Sequence, residues 1–377
     1  MMRFALVLLV VSTPAQAADI AVARFGTTTK GQPVSRITMT NDRGMRVSVL
    51  SYGATLTEIA VPDRNGRNRN VVLSLPDMPA YERSARRWGG IVGRYAGRID
   101  GAAFRLSGTT HRLEPGRNGV TLHGGSDGYD KRPWQVTTAH DARSMAATFT
   151  LVSPDGDQGF PGRLTVQVTY RLQRAADTLV IEYRATTTAP TPFNPTNHLF
   201  LNLAGAGSGT IEGHRMRLMA DRYADTDARK IPTGRLLPVA GTPLDFRVVR
   251  AIDPTRAHPL LTASNGFDHS YVVRSRPATR PLPVAILAEP VSGRRLTIAS
   301  TEPALQVNSG NGFDGSETGS EGIAYPTYAG IALETQHLPD SPNRPTFPTT
   351  IVTPGRAFRS VTEYRFSADT RIVTQKM

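Results

Sequence analysis

Leu164-Thr165-Val166-Gln167-Val168-Thr169-Tyr170 alternates apolar and polar residues without a break. A period of two sends alternate side chains to opposite faces of an extended chain, so the segment reads as a strand with one face buried. Leu179-Val180-Ile181-Glu182-Tyr183 follows in the same style, and the runs between Met145 and Arg184 form a meander of neighbouring strands. Working outward toward the start of the chain, Ser35–Thr40 and Met45–Leu50 alternate likewise and are separated by Asn41-Asp42-Arg43-Gly44, a hairpin turn signal. Ser51–Pro62 continues into a third strand closed by the turn Asp63-Arg64-Asn65-Gly66. In the other direction Arg295–Ser300, Leu305–Asn308, Ile351–Phe358 and Ser360–Phe366 read as strands, and a short helix is expected within Asp77–Arg86. No long stretch has a 3.6-residue period, no internal repeat is visible, and 34 Gly with 28 Pro supply many turns. The fold class is therefore all-β with antiparallel sheets. No linker divides it, so one domain is expected over residues 18–377.

The first residues read differently. Met1-Met2-Arg3, the apolar run Phe4–Val11 and Ala15-Gln16-Ala17 have the charged start, apolar core and small-x-small site of a secretory signal, with cleavage expected after Ala17. The apolar run falls well short of the roughly 20 residues that span a bilayer, so no membrane anchor is expected after cleavage, and a periplasmic or secreted location is. The chain has no cysteine, so its large core must hold it without disulfides in that compartment. The formal charge of +13 is spread over the chain mostly as arginine, with local groups such as Arg83, Arg86 and Arg87. Nucleic-acid binding wants clustered charge interleaved with aromatics, and that class is set aside.

Against this β background, two stretches carry polar groups where packing does not call for them. Asn194-Pro195-Thr196-Asn197-His198-Leu199-Phe200-Leu201-Asn202-Leu203 places three amides and an imidazole in what otherwise reads as a buried strand. Gly330–Leu333 runs apolar into Glu334, followed by Thr335, Gln336 and His337. Buried polar groups without partners cost roughly 1–3 kcal/mol each, so a strand holding several has another use for them. Trp88-Gly89-Gly90-Ile91-Val92-Gly93-Arg94-Tyr95-Ala96-Gly97-Arg98-Ile99 adds dense glycines and two forked donors four residues apart, without the Gly-Lys-Ser/Thr ending of a phosphate loop. Leu122-His123-Gly124-Gly125 puts an imidazole beside two glycines in a loop. Asp221–Asp227 contains three aspartates but lacks the glycine and terminal glutamate of a calcium loop, and Asp268 opens a strand, where acids commonly cap. A His-Glu-x-x-His metal motif is missing from the sequence. A glycosidase would want two carboxylates about the scissile bond, whereas the partner of Glu334 is a histidine. Such a pair suits proton exchange between two oxygens of one molecule.

Gly93-Arg94-Tyr95-Ala96-Gly97-Arg98-Ile99, Leu122-His123-Gly124-Gly125, Asn194–His198, Phe267-Asp268-His269 and Leu333–Gln336 with Pro339–Asn343 occur in the order seen in the aldose 1-epimerase family, which the chain resembles from about Ala21 onward. The resemblance implies an antiparallel β-sandwich of the supersandwich type with a small-molecule sugar in a cleft, no cofactor and no metal, and a monomer or homodimer. It implies Glu334 as general base and His198 as general acid, with Arg98, His123 and Asp268, joined by Arg94, Asn197 and Gln336, on the substrate. Asp268 and Glu334 are expected to keep His198 protonated at neutral pH, as opposite charges do. Gly97 stands where the family usually has asparagine, which bears on the preferred sugar. Three other readings share this fold: an epimerase of hexose phosphates, a non-catalytic sugar-binding protein, and a polysaccharide-modifying enzyme with a longer groove. The first is disfavoured by export. The second has no need of ionisable His198 and Glu334.

Overall fold

The Leu164–Gln173 strand buries every second residue, and it lies between Ser144–Ser153 and Thr178–Thr187. The computed structural model describes residues 19–368; the signal-like segment 1–17 lies outside them. The meander is one side of a nine-stranded sheet whose order is Gln135–His140, Ser144–Ser153, Leu164–Gln173, Thr178–Thr187, Phe358–Ala368, Arg294–Ser300, Leu282–Ala288, Arg215–Leu218 and Arg250–Ala251. Every pairing in it is antiparallel. Phe358–Ala368 therefore sits at its centre, paired with Thr178–Thr187 on one side and Arg294–Ser300 on the other.

A six-stranded sheet runs in the order Phe200–Leu201, Ile331–Gln336, Ala304–Asn308, Asp268–Val272, Arg222–Thr226 and Pro232–Pro238. A five-stranded antiparallel sheet is made by Asp19–Thr27 through Asn68–Asn70, with the hairpin at residues 41–44 as expected. All three sheets contribute to one apolar cluster: Val166, Val168 and Tyr170 from the first, Leu305, Val307 and Leu333 from the second, Val47, Val49 and Ile59 from the third. Each such side chain, fully buried, contributes roughly 1.5–3 kcal/mol. The architecture is an all-β antiparallel sandwich. The expected helix forms as Met78–Arg83, capped by the Asp77 carboxylate on the Ala80 N–H.

Register in the six-stranded sheet decides what faces the solvent. Gln306 lies opposite Glu334 and Ser270, and Asn308 opposite Asp268. Because side chains alternate, Asp268, Gln306, Asn308, Glu334 and Gln336 share one face, while Tyr271, Leu305, Val307 and Leu333 take the other and enter the core.

The stretch 194–203 departs from the single buried strand expected of it. Thr196–Asn197 pairs with Ile91–Val92, and Phe200–Leu201 pairs with Ile331–Ala332 in the six-stranded sheet. The chain changes partners at His198, whose backbone stays bonded to Gly90 O and Gly89 N–H. Gly89 takes φ +75°, and a Cβ there would lie 2.2 Å from Leu56 O, so only glycine lets this loop approach.

Candidate active site

The polar face of the six-stranded sheet forms the floor of a cleft enclosing roughly 450 Å³, its open mouth included, within the usual size of small-molecule sites. Gly97, Arg98, His123, His198, Asp268, Gln306, Asn308, Glu334, Gln336 and Pro339 line it. Six segments of the sequence thus meet in one place.

Arg98 and His123 come from one local pairing. Arg98–Ile99 pairs with Thr121–Leu122, so His123 follows directly opposite the Gly97 turn. Its N–H donates to Gly97 O at 2.9 Å, and the Gly97 N–H donates to His123 Nδ1 at 3.2 Å. An accepting Nδ1 leaves the proton on Nε2, so the imidazole presents a donor. Burial, then the Arg87, His198 and Arg98 charges, hold His123 well below the ordinary histidine range, and it is neutral at pH 7. Gly124, at φ +87°, allows the loop to lie against Gly93 O, where a Cβ would come within 2.0 Å. Gly97 itself takes φ +80°, with Pro339 against the position a Cβ would occupy.

Glu334 is 3% exposed, and its Oε1 lies 3.8 Å from His198 Nε2. That is too long for a hydrogen bond, leaving the two groups facing across a gap rather than bonded to each other. The His198 ring meets the edge of His123 (centroids 5.3 Å apart) and is backed by Phe200, which packs on Trp88 and Phe313. Glu334 Oε2 and Gln336 Oε1 are buried with no hydrogen-bond partner. Native proteins seldom leave such acceptors empty, and two of them in one cleft call for a ligand rich in hydroxyl donors. A larger surface hollow of about 670 Å³, lined by Leu75, Arg83, Ser316 and Glu317 among others, has no buried unpartnered polar atom in its lining.

Burial, and after it the Asp268 charge, pushes the Glu334 carboxyl up to about 8 against the pull of Arg87 and Arg98. Burial and Arg87 push His198 down to about 4, with Asp268 only partly opposing them. This corrects the expectation that neighbouring carboxylates keep His198 protonated: loss of solvation outweighs them. At neutral pH these shifts favour a neutral His198 and a protonated Glu334. Asp268 behaves differently. Burial works to raise it, but Lys230 and Arg98 overcome that and keep it ionised. Its Oδ1 accepts from Gln306 Nε2 at 2.8 Å and its Oδ2 from Lys230 Nζ at 2.5 Å.

Two of the residues expected on the substrate are elsewhere. Arg94 is 2% exposed, and its guanidinium donates to Ser153 Oγ, Thr191 Oγ1 and the carbonyls of Pro154, Pro161 and Gly162. It fastens the 153–162 loop and does not line the cleft. Asn197 Nδ2 donates to Gly89 O and Tyr170 Oη, holding the histidine segment to the glycine loop from behind. Gln306, Asn308 and Lys230 were not singled out from the sequence, and Arg87 was named only within a local basic group. For Gln306 and Asn308 a signal was there, since in Leu305-Gln306-Val307-Asn308 the polar pair occupies one face. In the acidic segment, Asp225 pairs with Arg235, and Asp227 pairs with Arg229 and caps its own turn. Among the described residues no cluster of three or more His, Asp or Glu side chains could hold a metal ion.

The sequence model of the family described as aldose 1-epimerase matches residues 35–365. The chain belongs to the aldose 1-epimerase family. Among its relatives in this family, the galactose mutarotase of Mus musculus is 37% identical over 339 residues, covering 89% of this chain and 95% of the relative. The aldose 1-epimerase of Escherichia coli K12 is 36% identical over 343 residues, covering 90% and 97%. Among solved structures, a galactose 1-epimerase from Lactobacillus acidophilus superposes with a TM-score of 0.82 at 27% identity, over 93% of this chain and 99% of that one. Likeness to aldose epimerases thus spans the nine- and six-stranded sheets, including the strands that carry the cleft.

Proposed function

We infer that this chain interconverts the α and β anomers of free aldohexoses, of the glucose or galactose type, by opening and reclosing the sugar ring. The observation that carries this reading is the 3.8 Å gap between His198 Nε2 and Glu334 Oε1, beside a buried carboxylate oxygen with no partner. An anomeric hydroxyl placed there gives its proton to Glu334, while the ring oxygen takes a proton from His198. The C1–ring-oxygen bond breaks to the open-chain aldehyde, rotation about C1–C2 presents the other carbonyl face, and the reversed proton transfers close the opposite anomer. Proton transfer within one molecule calls for no cofactor.

The proton count is consistent with this cycle. Between about pH 4 and about pH 8 the His198–Glu334 pair holds a single proton. The ion pair the reaction starts from, imidazolium with carboxylate, has the same count as the resting neutral pair. Moving that proton from Glu334 to His198 needs hydrogen bonds to the carboxylate, and sugar hydroxyls at Oε2 supply them. Arg98, the Nε2–H of His123, Asp268 and Gln336 hold the remaining hydroxyls.

Polarimetric mutarotation of freshly dissolved α-D-glucose and α-D-galactose tests the reading. Wild type is expected to accelerate it, and Glu334→Gln and His198→Asn are each expected to lower turnover by about 10²–10⁴-fold, the usual worth of a positioned acid or base. Full turnover in either variant would overturn the roles assigned to them. Export to the periplasm or beyond belongs to the same proposal, supported by the sequence of Met1–Ala17 alone. Amino-terminal sequencing of the mature protein checks it, with Ala18 expected first.

A further inference from the structure

Lys230 has no part in the proton transfers, yet it reaches the cleft. It lies in the turn between Arg222–Thr226 and Pro232–Pro238, with a left-handed φ of 63°. Its Nζ donates to Asp268 Oδ2, and its side chain is still 32% exposed, so two of the three ammonium donors remain for a ligand. The turn that carries it is closed on itself and tied to the Arg98 side of the cleft. Asp227 Oδ1 accepts from the Arg229 and Ile231 N–H groups, and Arg229 Nη1 donates to Asp100 Oδ1 at 2.9 Å, two residues beyond Arg98. A lysine held this way stands beside Asp268, which lines the cleft.

The charges in the cleft do not cancel. His198 and Glu334, sharing one proton, sum to zero; Asp268 contributes one negative charge; Arg98 and Lys230 contribute two positive ones. Arg87, 4.0 Å from Asp130, adds to the positive field on His198 and Glu334. A neutral hexose leaves this excess positive charge unanswered, and in a half-closed cleft such a charge is poorly screened by solvent.

We propose that Lys230 is a substrate-binding residue, and that the cleft takes aldoses carrying an anionic group, with Lys230 and Arg98 on that group. A hexuronate carboxylate is the compact form of that chemistry and a sugar phosphate the bulkier one. This rests on the epimerase reading above and names its substrate class.

The experiment measures mutarotation of D-galactose, D-galacturonate and D-galactose 6-phosphate at pH 7 by wild type, Lys230→Met and Lys230→Arg. Wild type is expected to have a kcat/KM for galacturonate at least equal to that for galactose. Lys230→Met is expected to lower the ratio of the two by about tenfold or more, as loss of a charge-assisted hydrogen bond does, and Lys230→Arg to retain it. Raising the salt is expected to raise the wild-type KM for galacturonate and leave that for galactose unchanged, a readout that does not depend on any variant folding. Preference for the 6-phosphate, also lost in Lys230→Met, supports the anionic class and assigns the phosphate as its source. Turnover of galactose with rejection of both anionic sugars overturns the proposal, as does an equal effect of Lys230→Met on all three. Turnover of none of them by folded wild type overturns the epimerase reading itself.

Discussion

Glu334→Gln is expected to stabilise the protein while silencing it. In the folded state the Glu334 carboxyl is pushed up to about 8 by burial, against an ordinary value of 4.5 in the unfolded chain. A group raised in this way favours folding fully only below the unfolded value, and that contribution is lost as pH rises through the folded one. At pH 7, about 2.5 pH units above 4.5, keeping the carboxyl protonated costs the fold roughly 3 kcal/mol, at about 1.4 kcal/mol per pH unit. Glutamine is neutral at every pH and escapes this cost. His198 does not interfere between pH 6.5 and 7.5, since it is already neutral in the fold, having been pushed down to about 4. Urea unfolding of both proteins at pH 6.5, 7.0 and 7.5 should therefore show Glu334→Gln more stable by about 3 kcal/mol at the middle value. The gap should widen by about 1.4 kcal/mol over that one pH unit. A gap that does not change with pH would refute the raised carboxyl, and a less stable variant would refute the cost assigned to burying it.

The same pair predicts a bell-shaped dependence of kcat/KM on pH, with limbs near 4 and 8 where its single proton is joined by a second or lost. Arg87 lowers both groups, so Arg87→Leu is expected to move both limbs of that profile upward, and a profile that stays put removes Arg87 as a source of the field. Arg94→Ala is expected to destabilise by at least about 3 kcal/mol, because several buried carbonyls lose their donor, with kcat/KM per folded molecule unchanged within about twofold. A selective rise in KM would instead return Arg94 to the substrate.

Most of the sandwich was legible because period-two alternation is a local signal, as in Leu164–Tyr170. The meeting of Arg98, His123, His198, Asp268 and Glu334 was legible only through the family resemblance, since no local pattern records which strands become neighbours. What misled was function attributed by proximity in sequence. Arg94 and Asn197 sit in the same motifs as Arg98 and His198, yet their side chains point to loop carbonyls and to Tyr170. His198 also shows why charge counting failed. Two nearby carboxylates look sufficient to protonate an imidazole until the loss of water around it is included. Lys230 is invisible from the sequence because it comes from a turn, and only the tertiary fold places that turn beside Asp268.

The strand Phe358–Ala368 carries no cleft residue, yet it is the seam of the nine-stranded sheet. During synthesis it is the last of the described strands to leave the ribosome. Until it arrives, the sheet exists as two halves, each with a long unpaired edge along Thr178–Thr187 or Arg294–Ser300. Those edges are open to pairing with other chains. A premature stop anywhere before residue 358 thus does more than trim the protein. It yields a chain that carries every residue of the catalytic cleft if the stop falls after Pro339, and that has no means of closing its largest sheet.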